Sequence, residues 1–223
     1  MTADQQRPTL ADLGPVAQLR AGRLPRRLIQ LYAGLVLYGV SLALMVRGDL
    51  GLAPWDVLHS GFIRHVPITL GQAVILFSFV VLLLWIPLRE KPGLGTISNA
   101  IVVGLAADAT LALLDRPDGI GWRIGLMVAG VLLNGLATAQ YIGAQLGRGP
   151  RDGLMTGLAR VTGRSLRLVR TALEVTVVVI GLLLGGALGV GTIIYALAIG
   201  PLTQWMLPGW LVGGDPPAGD RRA

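Results

Sequence analysis

Four acidic side chains sit in or beside apolar runs, where a charge is costly and therefore informative: Asp56, Asp108, Asp152 and Glu174. A carboxylate carried to the centre of a hydrocarbon layer costs about 2.5–3.5 kcal/mol on insertion scales, so such residues are functional candidates by default. Asp56 and Asp152 share a setting, each two residues after a proline, Pro54 or Pro150, that follows a glycine-bearing break. Their carboxylates suit a cation or a polar solute, and Trp55 beside the first can stack on a ligand. The competing reading is structural: each Asp satisfies amides of its own first helical turn or pairs with a nearby Arg. Glu174, near the middle of an apolar segment, suits proton coupling or a cationic solute, against an i, i+4 ion pair with Arg170. Asp108 is the remaining binding candidate, with interhelical hydrogen bonding as its alternative. His59 follows Asp56 by three residues, but Met155 holds the equivalent place in the second stretch, so no metal site is expected.

The elements that position these residues come from a duplication. Gly51-Leu-Ala-Pro54-Trp-Asp56-Val-Leu58-His-Ser-Gly61 is echoed by Gly147-Arg-Gly-Pro150-Arg-Asp152-Gly-Leu154-Met-Thr-Gly157. The 96-residue offset also carries Gly93-Leu-Gly95-Thr96-Ile97 onto Gly189-Val-Gly191-Thr192-Ile193, and 21 of the 72 positions from 33 to 104 match without a gap. One register kept through separate motifs marks an internal repeat. In both copies a proline stands where a helix can begin without losing a hydrogen bond, and the Asp falls in its first turn.

The chain is 53% hydrophobic and only 14% charged over 223 residues, a balance far from that of soluble domains. Six segments are apolar enough over about 20 residues to cross a bilayer: 28 to 46, 69 to 88, 95 to 114, 122 to 146, 168 to 186 and 190 to 207. They fall three to each repeat. The helical parts of the Asp-bearing stretches, 54 to 65 and 150 to 161, are too short to cross and read as re-entrant or interfacial half-helices. With both termini inside, fifteen Lys and Arg lie on the cytoplasmic side and four outside, as the positive-inside rule requires. Three crossings per half then give the two repeats opposite orientation, a plan common in transporters. Polar tails are expected at 1 to 27 and 208 to 223, with repeat 1 over 28 to 115 and repeat 2 over 122 to 207. Trp85, Trp122 and Trp205 fall near span ends, where aromatic side chains anchor at the interface.

The Gly-x-x-Pro-Trp-Asp-Val-Leu-His stretch after the first span, Pro-Gly-Leu-Gly-Thr at 92 to 96, and Gly-x-Gly-Pro-Arg-Asp-Gly-Leu-Met in the second half resemble the YczE/YyaS/YitT group of bacterial integral membrane proteins, in its YczE-like branch. The resemblance spans roughly 28 to 207 and implies an integral membrane protein of the bacterial plasma membrane; it brings no catalytic residues with it. The glycine-rich stretch at 147 to 153 lacks the Lys-Ser/Thr of a phosphate loop, and no serine elbow or His-Glu-x-x-His helix occurs, so no enzyme and no cofactor are expected. The net charge of +7 is explained by topology rather than by nucleic acid. The expectation is an all-α, six-span transporter or channel-like permease for a small polar or charged solute, coupled to protons through Glu174. A non-transporting membrane partner or regulator and a substrate-binding subunit of a multicomponent importer are the alternatives, and a homo-oligomer or a membrane-protein partner fits either.

Overall fold

Proline opens several of the helices and glycine stands in the breaks between them, while Pro87 and Pro201 are carried inside helices. The computed structural model describes residues 14–212; the outer stretches of both expected tails, 1–13 and 213–223, lie outside the described residues. All regular structure in the described residues is helical: α1 (Pro15–Arg20), α2 (Leu24–Gly48), α3 (Pro54–Phe62), α4 (Leu70–Leu88), α5 (Leu94–Leu113), α6 (Ile120–Gly143), α7 (Pro150–Thr162), α8 (Leu166–Leu183) and α9 (Val190–Met206), closed by a 3-10 turn at Leu207–Gly209. Pro54 and Pro150 open α3 and α7 as expected. Thr69 caps α4 by accepting from the Gln72 amide at 3.1 Å, while Gln72 Oε1 accepts from the Thr69 amide at 3.0 Å, a reciprocal cap that satisfies two otherwise orphaned donors.

Five helices are long and apolar enough to cross a membrane: α2, α4, α5, α6 and α9 with its 3-10 turn. The expected span at 168 to 186 forms α8, whose 18 residues include Arg167, Arg170 and Glu174, and it is not among the five. The short helices α3 and α7 have 9 and 13 residues, far less than the ~30 Å hydrocarbon layer demands at ~1.5 Å per residue. Most of α3 is buried, from Pro54 through His59 and again at Gly61, so it is packed inside the protein rather than laid on its surface.

Packing puts the two short helices between the long ones. α2 lies along α6 and α5, α6 against α9, α3 against α8, and α4 against both α5 and α7. Three apolar clusters hold this together: Leu31, Leu35, Leu70 and Val103 around α2; Met45, Val57, Val131 and Ile199 between α2, α3, α6 and α9; and Trp55, Trp85, Leu154 and Val177 around α3 and α7. At one end of the bundle Arg27 donates to the Ala144 and Gln145 carbonyls at 2.8 and 2.6 Å and to that of Gln18. At the other, Asp49 pairs with Arg116 at 2.8 Å and Arg123 at 3.0 Å.

Many contacts recur at the repeat offset. The Gly95 amide donates to the Leu146 carbonyl at 2.7 Å, and Gly191 to Leu50 at 2.7 Å. Each donor and each acceptor is shifted by 96 positions from its counterpart. Beside these bonds Gly51 and Gly147 take φ of +118° and +129°, a region that only glycine enters readily. A Cβ at Gly51 would lie 2.7 Å from the Gly189 nitrogen, and one at Gly147 would lie 2.8 Å from Thr96 Oγ1, so the approach itself also requires glycine. The α2–α6 crossing repeats too: Gly34 faces Ala137 and Tyr141, and Gly130 faces Ser41 and Met45. At another equivalent pair bulk is exchanged. Trp85 packs on Gly153, whereas Gly181 packs on Val57 and Leu58.

Trp85 is therefore not the interface anchor its sequence position suggests. It is 3% exposed and its indole donates to the Pro150 carbonyl at 3.0 Å, because a short helix facing it offers Gly153 in place of a side chain. Trp122 and Trp205 are exposed, in keeping with the expectation.

Candidate functional site

The first turns of α3 and α7 meet at the centre of the bundle, each delivered there by its glycine-bearing break and started by its proline. Asp56 is buried, with Oδ1 3.1 Å from His59 Nδ1 and 3.7 Å from Arg151 Nη2. The second contact joins the two short helices. The Arg151 guanidinium carbon also stands 5.4 Å from the Trp55 ring centre, within reach of a cation–π interaction. Asp152 accepts a hydrogen bond from the Tyr141 hydroxyl. Tyr38 meets Tyr141 edge-on at 6.3 Å, so aromatic rings wall the charges from the α2 and α6 side.

Of these residues Tyr38, Trp55, Tyr141, Arg151 and Asp152 line a cavity of about 250 Å³. Its walls carry Trp55 from α3, Arg151 and Asp152 from α7, Arg170 and Glu174 from α8, and Tyr195 from α9. The Tyr195 hydroxyl donates to Asn134 Oδ1 at 2.9 Å, and Asn134 donates in turn to Ser41 at 2.8 Å; that chain fixes the phenol. The cavity also touches Ile142, Thr203 and Gln204, near the C-terminal ends of α6 and α9. Arg89, Lys91, Arg148 and Arg160 line a cleft of about 430 Å³ with Gly147, at the end of the bundle where α6 finishes.

Of the residues singled out from sequence, the fold brings together Pro54, Trp55, Asp152 and Glu174 on the cavity wall, with Asp56 immediately behind, paired to Arg151. Pro150 lines a smaller neighbouring cavity of about 30 Å³ that shares Tyr38, Tyr141, Arg151 and Asp152 with the first. Glu174 makes the i, i+4 pair with Arg170 at 2.8 Å and faces the cavity as well. Asp108 lies elsewhere. It accepts from the Thr69 hydroxyl and from the Gly71 amide at 2.8 Å, binding α5 to the start of α4, and it lines a separate cavity of about 460 Å³ with Arg47 and Asp49. No group of three His, Cys, Asp or Glu able to hold a metal occurs among the described residues.

Sequence reasoning passed over Arg151, Tyr38, Tyr141 and Tyr195. Arg151 was legible in one respect: it replaces Trp55 at the equivalent position, next to an Asp and inside a first helical turn. The tyrosines lie on three different helices, and nothing in their spacing joins them.

The same two Asp-bearing stretches fall within the span of a family model, described as a family of unknown function (DUF6198), that matches residues 25–208. The chain belongs to the DUF6198 family. A Haemophilus influenzae relative described as an uncharacterized protein is 39% identical over 173 residues, 78% of this chain and 79% of its own length. The uncharacterized membrane protein YczE of Bacillus subtilis is 31% identical over 179 residues, 79% of this chain and 83% of its own. YyaS of the same organism, an uncharacterized protein, is 24% identical over 179 residues, 78% and 89% of the two chains. The resemblance to the YczE-like proteins is thus shown, and with five apolar helices it makes this chain a membrane protein. No solved structure matches it.

Proposed function

We propose that this DUF6198 protein is a permease of the bacterial plasma membrane for a small polar or charged solute, and that the cavity between α3, α7, α8 and α9 holds that solute. One observation carries the reading: the first turns of both short helices, with Asp56, Arg151 and Asp152, converge on a cavity that Glu174 and Arg170 complete. Charges set at membrane depth cost about 2.5–3.5 kcal/mol apiece on insertion scales. Two salt bridges and an aromatic wall would be an expensive way merely to brace a bundle. Discontinuous helices that aim their first turns at a common point are a recurrent way of building a solute site within a bilayer.

In this reading α8 is the sixth span, its charges turned to the cavity, and the two halves are inverted repeats with both termini cytoplasmic. The reciprocal bonds Gly95 to Leu146 and Gly191 to Leu50 support the pseudo-two-fold relation. The site binds and passes a solute and performs no chemical step. Glu174, paired with Arg170 on the cavity wall, is the group that would couple passage to protons.

Two measurements test it. Single cysteines placed at 49 and 145 in a chain that has none should be labelled from opposite sides of the membrane by an impermeant maleimide; labelling from one side removes the inverted plan. Proteoliposomes given an iso-osmotic series of amino acids, polyols, sugars, amines and carboxylates should swell with at least one class faster than empty vesicles. The Arg151→Gln protein should lose that excess. Rates equal to those of empty vesicles across the series, with folded protein inserted, remove the permease reading.

A further inference from the structure

Two points around the cavity keep hydrogen-bonding capacity that the protein leaves unused, and those points have opposite chemistry. The Arg151 guanidinium carries five N–H donors, yet it meets Asp56 only at 3.7 Å and otherwise lies over Trp55. It makes no hydrogen bond within the described residues. Trp55 lines the same wall, and its Nε1 is a buried donor without a partner among them. Two adjacent donors in need of an acceptor suit a carboxylate, which a guanidinium can hold through two parallel bonds.

The other point is acidic. Asp152 has the Tyr141 hydroxyl as partner but no cation within 4.0 Å among the described residues. Glu174 uses Oε1 for Arg170 and lines the same cavity. Thr203 also lines that wall, and its Oγ1 is buried and unpartnered among the described residues. Two carboxylates and a free hydroxyl suit an ammonium group, which has three donors to place.

We infer that this cavity binds a small α-amino acid as its zwitterion, with the carboxylate on Arg151 and Trp55 Nε1 and the ammonium on Asp152, Glu174 and Thr203. The assignment rests on reading the cavity as a solute site and names the solute's class. A plain carboxylate would set its charge beside Asp152 and Glu174, and a plain amine would set its charge beside Arg151 and Arg170. A zwitterion meets both and brings no net charge into the bilayer. The volume of about 250 Å³ lies below the ~300–1,000 Å³ of sites for drug-sized ligands, which favours a solute of amino-acid size. Ile142, Met155 and Ile199 supply apolar wall for its side chain.

The test is calorimetric titration of the purified full chain in nanodiscs with each of the twenty common amino acids. Every one that binds is then compared with its decarboxylated amine and its deaminated carboxylic acid. At least one amino acid should bind, with both single-ended analogues ten-fold weaker or more. Glu174→Gln should weaken the amino acid ten-fold while leaving the matching carboxylic acid within three-fold. Trp55→Phe, which keeps a ring and removes the indole donor, should weaken both by three-fold or more. The assignment is overturned if no amino acid binds folded protein, if either analogue equals its parent, or if both variants leave the parent's Kd unchanged. Binding without vesicle flux keeps the amino-acid site and removes the permease; flux of another solute class without amino-acid binding does the reverse.

Discussion

The cavity walled by Arg170, Glu174, Tyr195 and Ile199 has a counterpart in the first half, walled by Val74, Ser78, Asn99 and Val103. Each residue of the second set lies 96 positions before its partner in the first. One cavity encloses about 250 Å³ and the other about 30 Å³. The difference traces to how the outer helices meet. α4 packs along α5, while the equivalent α8 and α9 scarcely touch. Gly71 and Gly104 make the first pairing possible, since a Cβ at Gly71 would stand 2.1 Å from the Gly104 carbonyl oxygen. In the second half Arg167 replaces Gly71, and a Cβ at Gly200 would meet nothing within 4 Å. Asp108 fastens α5 to the Gly71 amide, whereas Gln204, its counterpart, lines the open cavity. Duplication supplied one frame, and a few substitutions filled one cavity while charging the other.

Breaking the closed side should have the largest effect. Gly71→Leu must force apart a pair of backbones in contact, so a loss of about 3 kcal/mol or more is expected, a fall of ~6–12 °C in Tm for a domain of this size. Gly200→Leu should stay within about 2 °C, because its surroundings are open. Equal losses in a thermal melt would mean that the two helix pairs do not differ as described. Next comes the fastening. Asp108→Ala strands the Gly71 amide and the Thr69 hydroxyl and should cost about 2 kcal/mol. A cysteine at 78 should then react faster with a water-soluble maleimide, and an unchanged labelling rate would deny Asp108 its closing role.

Smaller effects sharpen the contrast from the open side. Tyr141→Phe removes the hydroxyl from Asp152 and should cost about 1–2 kcal/mol, measured by denaturant titration in detergent. Thr203→Val replaces an unpartnered buried hydroxyl with a methyl of the same shape. It should be neutral or stabilising by up to about 1 kcal/mol; a clear loss would show that the hydroxyl has a protein partner after all.

Much of this fold could be read from the chain, because its signals are local. Pro54 and Pro150 started helices where expected, and the glycine at 51 and its copy at 147 marked the turns. Glu174 was found with Arg170, the ion pair that its helical spacing offers. Asp108 was harder: an acidic residue in an apolar run reads alike whether it faces a solute or, as here, the start of a neighbouring helix. Arg151 was hidden by its own charge, since an Arg near a membrane edge already serves as a topology signal. Only the folded chain shows it reaching across to Asp56. The tyrosines required tertiary structure outright, for Tyr38, Tyr141 and Tyr195 converge from α2, α6 and α9.

The backbone links at Gly95 and Gly191 involve no side chain, and no rotamer change can loosen them. If α8 and α9 lean together, or α4 and α5 spread, those two amides supply the fulcrum. Their protons should then rank among the slowest to exchange with deuterium in the first turns of the helices, where amides have no partner within the helix, whichever way the outer helices tilt.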